Sequence, residues 1–463
     1  MAKCDGRSLF DTITIIISSA NRRAMGRYQV KFGKIFYVCA VATFISFSAL
    51  AQGLPQASQP EEVGFSSQRL TRLTAVFQAE VDKSAIPGAV VLIARKGKVA
   101  YFEAIGFQNR ENKEPMRTDA IFRIASMSKP ITSVAVMMLV EEGRIQLLDP
   151  VSSYLPEFKG VQVGVEKLNT TTGNLELVGE PPRQEMTIQD LLRHTSGLTY
   201  GIFGKSLVKQ AYNDAKLFDF SQTLSEFVSK IAKLPLAYHP GTTWEYSHST
   251  DVLGRIVEVV SGVTLDRFVA DRIAVPLGLS DTGFYAPSEK LGRIAETQVD
   301  STTGKRWPTF DVTKRPNLMS GGAGMVSTAS DYVRFAQMLL NGGELEHVRL
   351  LSPRTVAFMT SDHLWPGIAF SPVTLELFEP LGIAPTPKVG QGFGLGFVVR
   401  TQEGRNPMPG SPGEYYWAGI WGTTFWVDPK EQLVAVMMMQ AAPLQARYYR
   451  SLIRNLVSQA LID

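Results

Sequence analysis

Hydrophobic and polar positions fall along the chain in blocks whose period changes from helical to strand-like and back. Leu70, Leu73, Val76, Phe77 and Val81 recur at helical spacing and predict an amphipathic helix. Two strand-like runs follow, Gly88 to Ala94 and Lys98 to Gly106, split by a turn at Lys96-Gly97. Val134 to Leu148 reads as a buried helix stopped by Asp149-Pro150. The middle of the chain is helix-rich. Thr187 to Arg193, Asp251 to Val260 and Leu265 to Ala274 are amphipathic, with Thr187 and Thr250 as caps, and Ser330 to Leu340 and Pro353 to Met359 add two more helices. Strand-like runs return at Leu395 to Arg400, Tyr415 to Val427 and Leu433 to Gln440, before a final helix from about Ala446 to Leu461. Strands at both ends with helices between predict an α+β fold: one sheet closed by the two ends of the chain, with an inserted helical lobe. Tyr200 to Tyr246 and the proline-rich Trp365 to Pro412 read as long loops, which in a compact domain are functional or disordered.

Composition narrows the class. The 463 residues are 44% hydrophobic and 19% charged, which excludes wholesale disorder and fibrous architectures. The formal charge of +4 suggests a nucleic-acid partner only until it is located. Residues 1–51 hold seven of the 47 basic residues and two of the 43 acidic ones, leaving 40 and 41 in the remainder. The basicity belongs to the leader, and no nucleic-acid partner is expected. That leader has the form of an export signal: Arg27, Lys31 and Lys34, then the apolar run Ile35 to Phe47, then the small-x-small Ala49-Leu50-Ala51. Met25 offers an alternative start. The run is shorter than the roughly 20 residues that cross a bilayer comfortably. Cleavage is therefore expected to release an exported protein, periplasmic or secreted, with no membrane association; a retained signal anchor is the alternative. Both cysteines, Cys4 and Cys39, lie in the leader, so the mature chain has no thiolate chemistry and no cysteine metal site. The expected organisation is a signal over 1–51, a linker over 52–62 and a single domain over 63–463.

The candidate chemistry begins with absences. There is no Gly-x-Ser-x-Gly, no His-Glu-x-x-His and no phosphate-cradling glycine loop. Ser-x-x-Lys occurs twice, at Ser126/Lys129 and Ser206/Lys209. Ser126 follows an apolar approach and leads into the most apolar helix. A hydroxyl at that helix N-terminus sits where free N–H groups favour developing negative charge. Lys129, one turn on, shares its face, and an apolar setting disfavours an ammonium and suits a proton acceptor. The pair reads equally as a capping serine beside a surface lysine. Ser206/Lys209 lies in a solvated-looking stretch and reads as surface helix. Trp244-Glu245-Tyr246-Ser247-His248 puts a tyrosine at a loop–helix junction, where it can serve as general base or acid. Tyr416 to Gly422 is an aromatic strand with glycines at close-approach positions, able to offer a backbone N–H to an oxyanion. Taken alone, either segment reads first as aromatic packing.

FRIASMSKPIT, LLRHTSGLTYG, PGTTWEYSHSTDVLGRIVEVVSG, GGAGMVSTASDYVRFAQMLLNGG and WAGIWGTTFWVDP, in this order, resemble the serine β-lactamase-like family. That family includes class C β-lactamases, D-alanyl-D-alanine peptidases and family VIII carboxylesterases. The resemblance runs from about Glu61 to the C-terminus. It implies an antiparallel sheet flanked by helices, with a helical lobe and the site in the cleft between. It also implies roles: Ser126 as acylated nucleophile, Lys129 as its proton-accepting partner and Tyr246 as general base that relays a proton to the leaving group. The N–H groups of Ser126 and Ile420 would form the oxyanion hole, with Trp417 and Gly419 at the third-motif positions and His248 in the second motif. No metal or cofactor is implied.

Two departures from the class C pattern shape the expected substrate. The second motif ends in His248 where those enzymes have asparagine, and the third begins with Trp417 where they have lysine. β-Lactams and D-Ala-D-Ala peptides carry a carboxylate that the lysine helps to bind. An indole removes that charge complementarity and offers an apolar wall. The expectation is an exported serine hydrolase of small neutral esters, without an obligate protein partner; the alternative is a β-lactamase or D-alanyl-D-alanine carboxypeptidase. Substrate choice is expected to sit in the two long loops.

Overall fold

The computed structural model describes residues 53–300, 303–379 and 384–463; the leader and its cleavage site lie outside them. After helix α1 (Ser67–Asp82) come strands β1 (Gly88–Arg95) and β2 (Lys98–Asn109) and the edge strand β3 (Glu114–Pro115), then α2 (Ser128–Glu141). The lobe contains α3 (Leu207–Asp214), α4 (Leu224–Ile231) and α5 (Ser249–Ser261), and α6 (Ala329–Leu340) follows it against the sheet. The chain returns through β4 (Gln391–Phe393), β5 (Val398–Arg400), β6 (Tyr415–Ala418), β7 (Thr424–Asp428) and β8 (Leu433–Met439) to α7 (Pro443–Ser458). These strands form one eight-stranded sheet in the order β4-β5-β6-β7-β8-β1-β2-β3. The junction that brings the two ends of the chain together, β1 with β8, is antiparallel, as is the β1–β2 hairpin.

β1 is buried at every position, which is why it reads as an unbroken apolar run rather than an alternating one. Helices cover both faces of the sheet. Tyr332 of α6 packs on Phe425 of β7 (centroids 4.9 Å apart), while Arg454 of α7 stacks over Trp426 (4.8 Å). Consecutive strand residues point to opposite faces, so α6 and α7 lie on opposite sides. α1 joins α7 through Phe77 and Tyr449. Residues of the expected linker are already ordered against the sheet: Ala57 N donates to Val99 O (2.9 Å) and Val99 N to Pro55 O (2.8 Å).

Several elements differ from the sequence reading. The first buried helix starts at Ser128 and ends at Glu141, because Gly143 takes φ +69° and turns the chain before the apolar run is over. Tyr415 to Val427 is a hairpin rather than one strand: the chain reverses between Ala418 and Thr424, where Gly422 adopts φ +102°. The segment read as a loop from Tyr200 contains α3 and α4, capped by Ser206 and Thr223. α5 begins at Ser249 with His248 at its N-cap position, and Thr250 is buried inside it rather than capping it.

Candidate active site

Between Ile121 and Leu139 every residue is buried except Ser126. It sits on a single 3-10 turn (Ala125–Met127) between a short strand and α2. Ala125 holds φ +45°, a costly conformation for a residue with a Cβ, and the turn is pinned on both sides. Ser128 Oγ donates to Ala125 O (2.7 Å), and Tyr332 Oη to Met127 O (2.9 Å). Ser126 is therefore presented on the turn rather than used as a helix cap.

Lys129 is 1% exposed, in the first turn of a helix buried nearly all round. Its ammonium donates to Gly322 O (2.7 Å), Tyr200 Oη (3.2 Å) and Ser126 Oγ (3.4 Å), and lies 4.6 Å from the centroid of the Tyr246 ring. Pro130, early in α2, forfeits no hydrogen bond there. Tyr200 is the member of this cluster that sequence reasoning missed, because it lay in a segment read as unstructured loop. Burial holds its phenol far above the usual range, so it faces Lys129 as a neutral hydroxyl.

The carbonyl that holds Lys129 is itself clamped. Asp251 Oδ1 accepts from Ser320 Oγ (2.5 Å) and Gly322 N (3.0 Å), and Oδ2 from His248 Nδ1 (3.0 Å). Burial favours the neutral acid, but the His248 bond, the Lys129 charge and the Ser320 hydroxyl outweigh it and keep Asp251 below the usual carboxyl range. Burial pushes His248 below its ordinary value, with Asp251 pulling only part of the way back. A neutral imidazole thus braces an ionised carboxylate, and the pair reaches Lys129 through the Gly322 backbone. His248 packs against Tyr200 (4.3 Å) and lines a neighbouring cavity, not the one that holds Ser126.

Ser126 and Tyr246 open into a cavity of about 510 Å³ whose wall carries no charged residue. Phe203, Phe218, Phe220, Phe310, Phe378 and Trp421 supply most of it. The first long segment contributes the phenylalanines at 203, 218 and 220, and the second contributes Phe378. Trp417 is not part of this wall. Its ring is 1% exposed and wedged edge-on between Tyr246 and Phe393, both 5.5 Å away. Strand pleating turns it beneath Tyr246, so it shapes the position of the tyrosine instead of touching the cavity. The indole at the cavity wall is Trp421, in the β6–β7 turn.

That turn closes on Ser126. A Cβ at Gly419 would lie 2.3 Å from Ile124 O, so the bare glycine allows the hairpin to sit directly on the Ser126 turn. Ser126 and Ile420 both line the cavity, and neither backbone N–H is given to an acceptor among the described residues. The second Ser-x-x-Lys pair is elsewhere and is not solvated. Ser206 caps α3, and Lys209 is buried in an ion pair with Glu245 (2.5 Å).

A serine on a strained turn, a buried lysine with a tyrosine against its ammonium, and two N–H groups without an acceptor among the described residues fit a serine hydrolase. The profile of the Beta-lactamase family matches residues 73–457, and the chain belongs to that family. Esterase EstB of Burkholderia gladioli is 31% identical over 396 residues, covering 80% of this chain and 90% of EstB. A lovastatin esterase of Penicillium rubens is 29% identical, covering 80% and 92%. Among solved structures, EstCE1, described as a hydrolase with promiscuous acyltransferase activity, superposes with TM-score 0.70 at 29% identity, covering 84% of this chain and 98% of its own. The antiparallel sheet, inserted lobe and cleft implied by the sequence resemblance are those of the fold.

Proposed function

We propose that the mature chain is an exported carboxylesterase acting on neutral, apolar esters. The observation that carries this reading is the uncharged aromatic cavity at Ser126. A substrate carboxylate would lose its hydration there without a cation in the wall to replace it. Trp417 therefore bears on specificity differently from a wall residue: its buried indole fills a place where a lysine would have put a charge beside Tyr246.

In the mechanism we infer, Ser126 Oγ attacks the ester carbonyl as its proton passes to Tyr246 Oη, which reacts as a phenolate beside the Lys129 ammonium. The carbonyl oxygen, now an anion, lies against the N–H groups of Ser126 and Ile420. Collapse expels the alkoxide, which takes the proton from Tyr246, and leaves an acyl group on Ser126. Water then adds to the acyl carbonyl, giving its proton to Tyr246, and the acid leaves as Ser126 Oγ is reprotonated. Tyr200, a neutral hydroxyl on Lys129, and the His248–Asp251 pair behind Gly322 keep the ammonium aimed at the serine.

The test is kcat/KM for p-nitrophenyl butyrate against nitrocefin, with Ser126→Ala as control. Ester turnover higher by orders of magnitude, and lost in Ser126→Ala, supports the reading. Faster nitrocefin hydrolysis would sink it in favour of β-lactam or cell-wall chemistry.

A further inference from the structure

Gly419 O and Ile420 N belong to the same peptide group. On the oxygen side, Arg450 Nη2 of α7 donates to the Gly419 carbonyl at 2.5 Å. C=O and N–H point in opposite directions in a trans peptide, so the Ile420 N–H points away from Arg450. Ile420 lines the Ser126 cavity; Arg450 lines a separate cavity, with Tyr416 and Thr424 of the same hairpin. Arg450 is 8% exposed, and although burial lowers its pKa to about 10, it remains a cation at neutral pH.

From this geometry we infer that Arg450 is a positioning residue for the oxyanion hole: its guanidinium fixes the Gly419–Ile420 peptide with the N–H turned to Ser126 and polarises it. Two features make the peptide need such a brace. It lies in a hairpin turn outside the β6–β7 ladder, where among the described residues only the turn's own Gly422 N (3.1 Å) shares its carbonyl with Arg450. It also pivots on Gly419, which has no side chain to lock it. A charged donor on the carbonyl supplies what the ladder does not, and withdraws electron density so that the N–H becomes a stronger donor. The effect is electrostatic and grows as charge develops on the substrate oxygen. It therefore acts on the transition state more than on ester binding.

The inference rests on reading Ser126 and Ile420 as the oxyanion-hole donors, and the experiment separates the two. Arg450→Met and Arg450→Lys are compared with wild type for kcat and KM on p-nitrophenyl butyrate, and for affinity to phenylboronic acid, which adds to a serine hydroxyl as a tetrahedral borate. In Arg450→Met kcat falls roughly 10- to 100-fold, short of the 10²–10³ lost when an oxyanion donor is deleted. KM changes less than about threefold, and boronate affinity falls in parallel with kcat. Arg450→Lys, which keeps a cation near the carbonyl, recovers a substantial part of both, and carries the same test should Arg450→Met fail to fold. A folded Arg450→Met with wild-type kcat overturns the inference, as does a loss of kcat with boronate affinity unchanged. Turnover surviving in Ser126→Ala removes the serine reading itself; a dead Ser126→Ala beside a fully active Arg450→Met removes only the role of Arg450.

Discussion

Replacing Gly419 by alanine tests the contact on which the site is assembled. The φ of Gly419 is outside the left-handed region, so alanine carries no backbone penalty there and the effect is purely steric. The new Cβ would lie 2.3 Å from Ile124 O and 2.2 Å from Thr423 Oγ1. Neither neighbour is free to swing away. Ile124 O accepts from Met127 N (3.0 Å) and from Thr423 Oγ1 (3.3 Å), and Thr423 O accepts from Gly419 N (2.8 Å). Close carbon–oxygen approaches stop near 3.3 Å, so the hairpin or the serine turn must retreat by about 1 Å. A displacement of that size between reacting groups costs on the order of 10²-fold in rate. Overpacking adds about 1–3 kcal/mol of destabilisation, a few degrees in Tm. Steady-state kinetics on p-nitrophenyl butyrate, beside a thermal melt, should show kcat down by about 10²-fold with KM nearly unchanged. A folded Gly419→Ala enzyme with kcat within about threefold of wild type would refute the argument that this contact sets the oxyanion geometry.

Three further outcomes are expected. Lys209→Met strands the buried Glu245 carboxylate, which also accepts from Thr199 Oγ1 at 2.5 Å; urea unfolding should show a loss of about 3–5 kcal/mol, partly restored by adding Glu245→Gln, and equal stability of single and double variants would contradict it. Burial pushes the Asp331 carboxyl up to about 6 in spite of bonds from Asp281 N and Thr282 Oγ1. Its folded pKa thus exceeds the unfolded value of 3.8, so its stabilising share is complete below about pH 4 and gone above about pH 6. Asp331→Asn should therefore raise Tm at pH 8, by an amount equivalent to about 1–3 kcal/mol, and not at pH 4; a gain that is the same at both pH values argues against this. Tyr246→Phe should lower kcat about 10²- to 10⁴-fold while fluorophosphonate still labels Ser126 slowly, and near-normal turnover would remove Tyr246 from proton transfer.

The sequence makes the sheet legible because β1, β2 and β8 are continuous apolar or alternating runs with a clear turn between the first two. It makes Ser126, Lys129 and Tyr246 legible because each lies in a motif of fixed local spacing. What it hides depends on pleat and side-chain direction. Trp417 stands where the family pattern places a substrate-facing residue, yet its ring turns under Tyr246, and Trp421 takes the wall. Lys209 sits among polar neighbours in the sequence and looks solvated; its partner Glu245 is distant in the chain, so no local pattern announces the buried pair. Tyr200, Asp251 and Arg450 are invisible for the same reason. Each acts through a backbone carbonyl or an ammonium that only the tertiary fold brings within reach.

The order of strands in the sheet also dictates when the molecule comes into being. β1 is made early, but its partner on one side is β8, with Ala89 opposite Met439. Until the last part of the chain is available, β1 presents an apolar, unpaired edge, the kind of surface that pairs with other chains. Closure over such a separation is slow and makes folding dependent on protection of the unfinished protein. Chemistry waits on the same event. The serine turn belongs to the early part of the chain and the Ile420 N–H to the late hairpin beside β8, so on the mechanism proposed above an incomplete chain carries Ser126 without the N–H that would serve it.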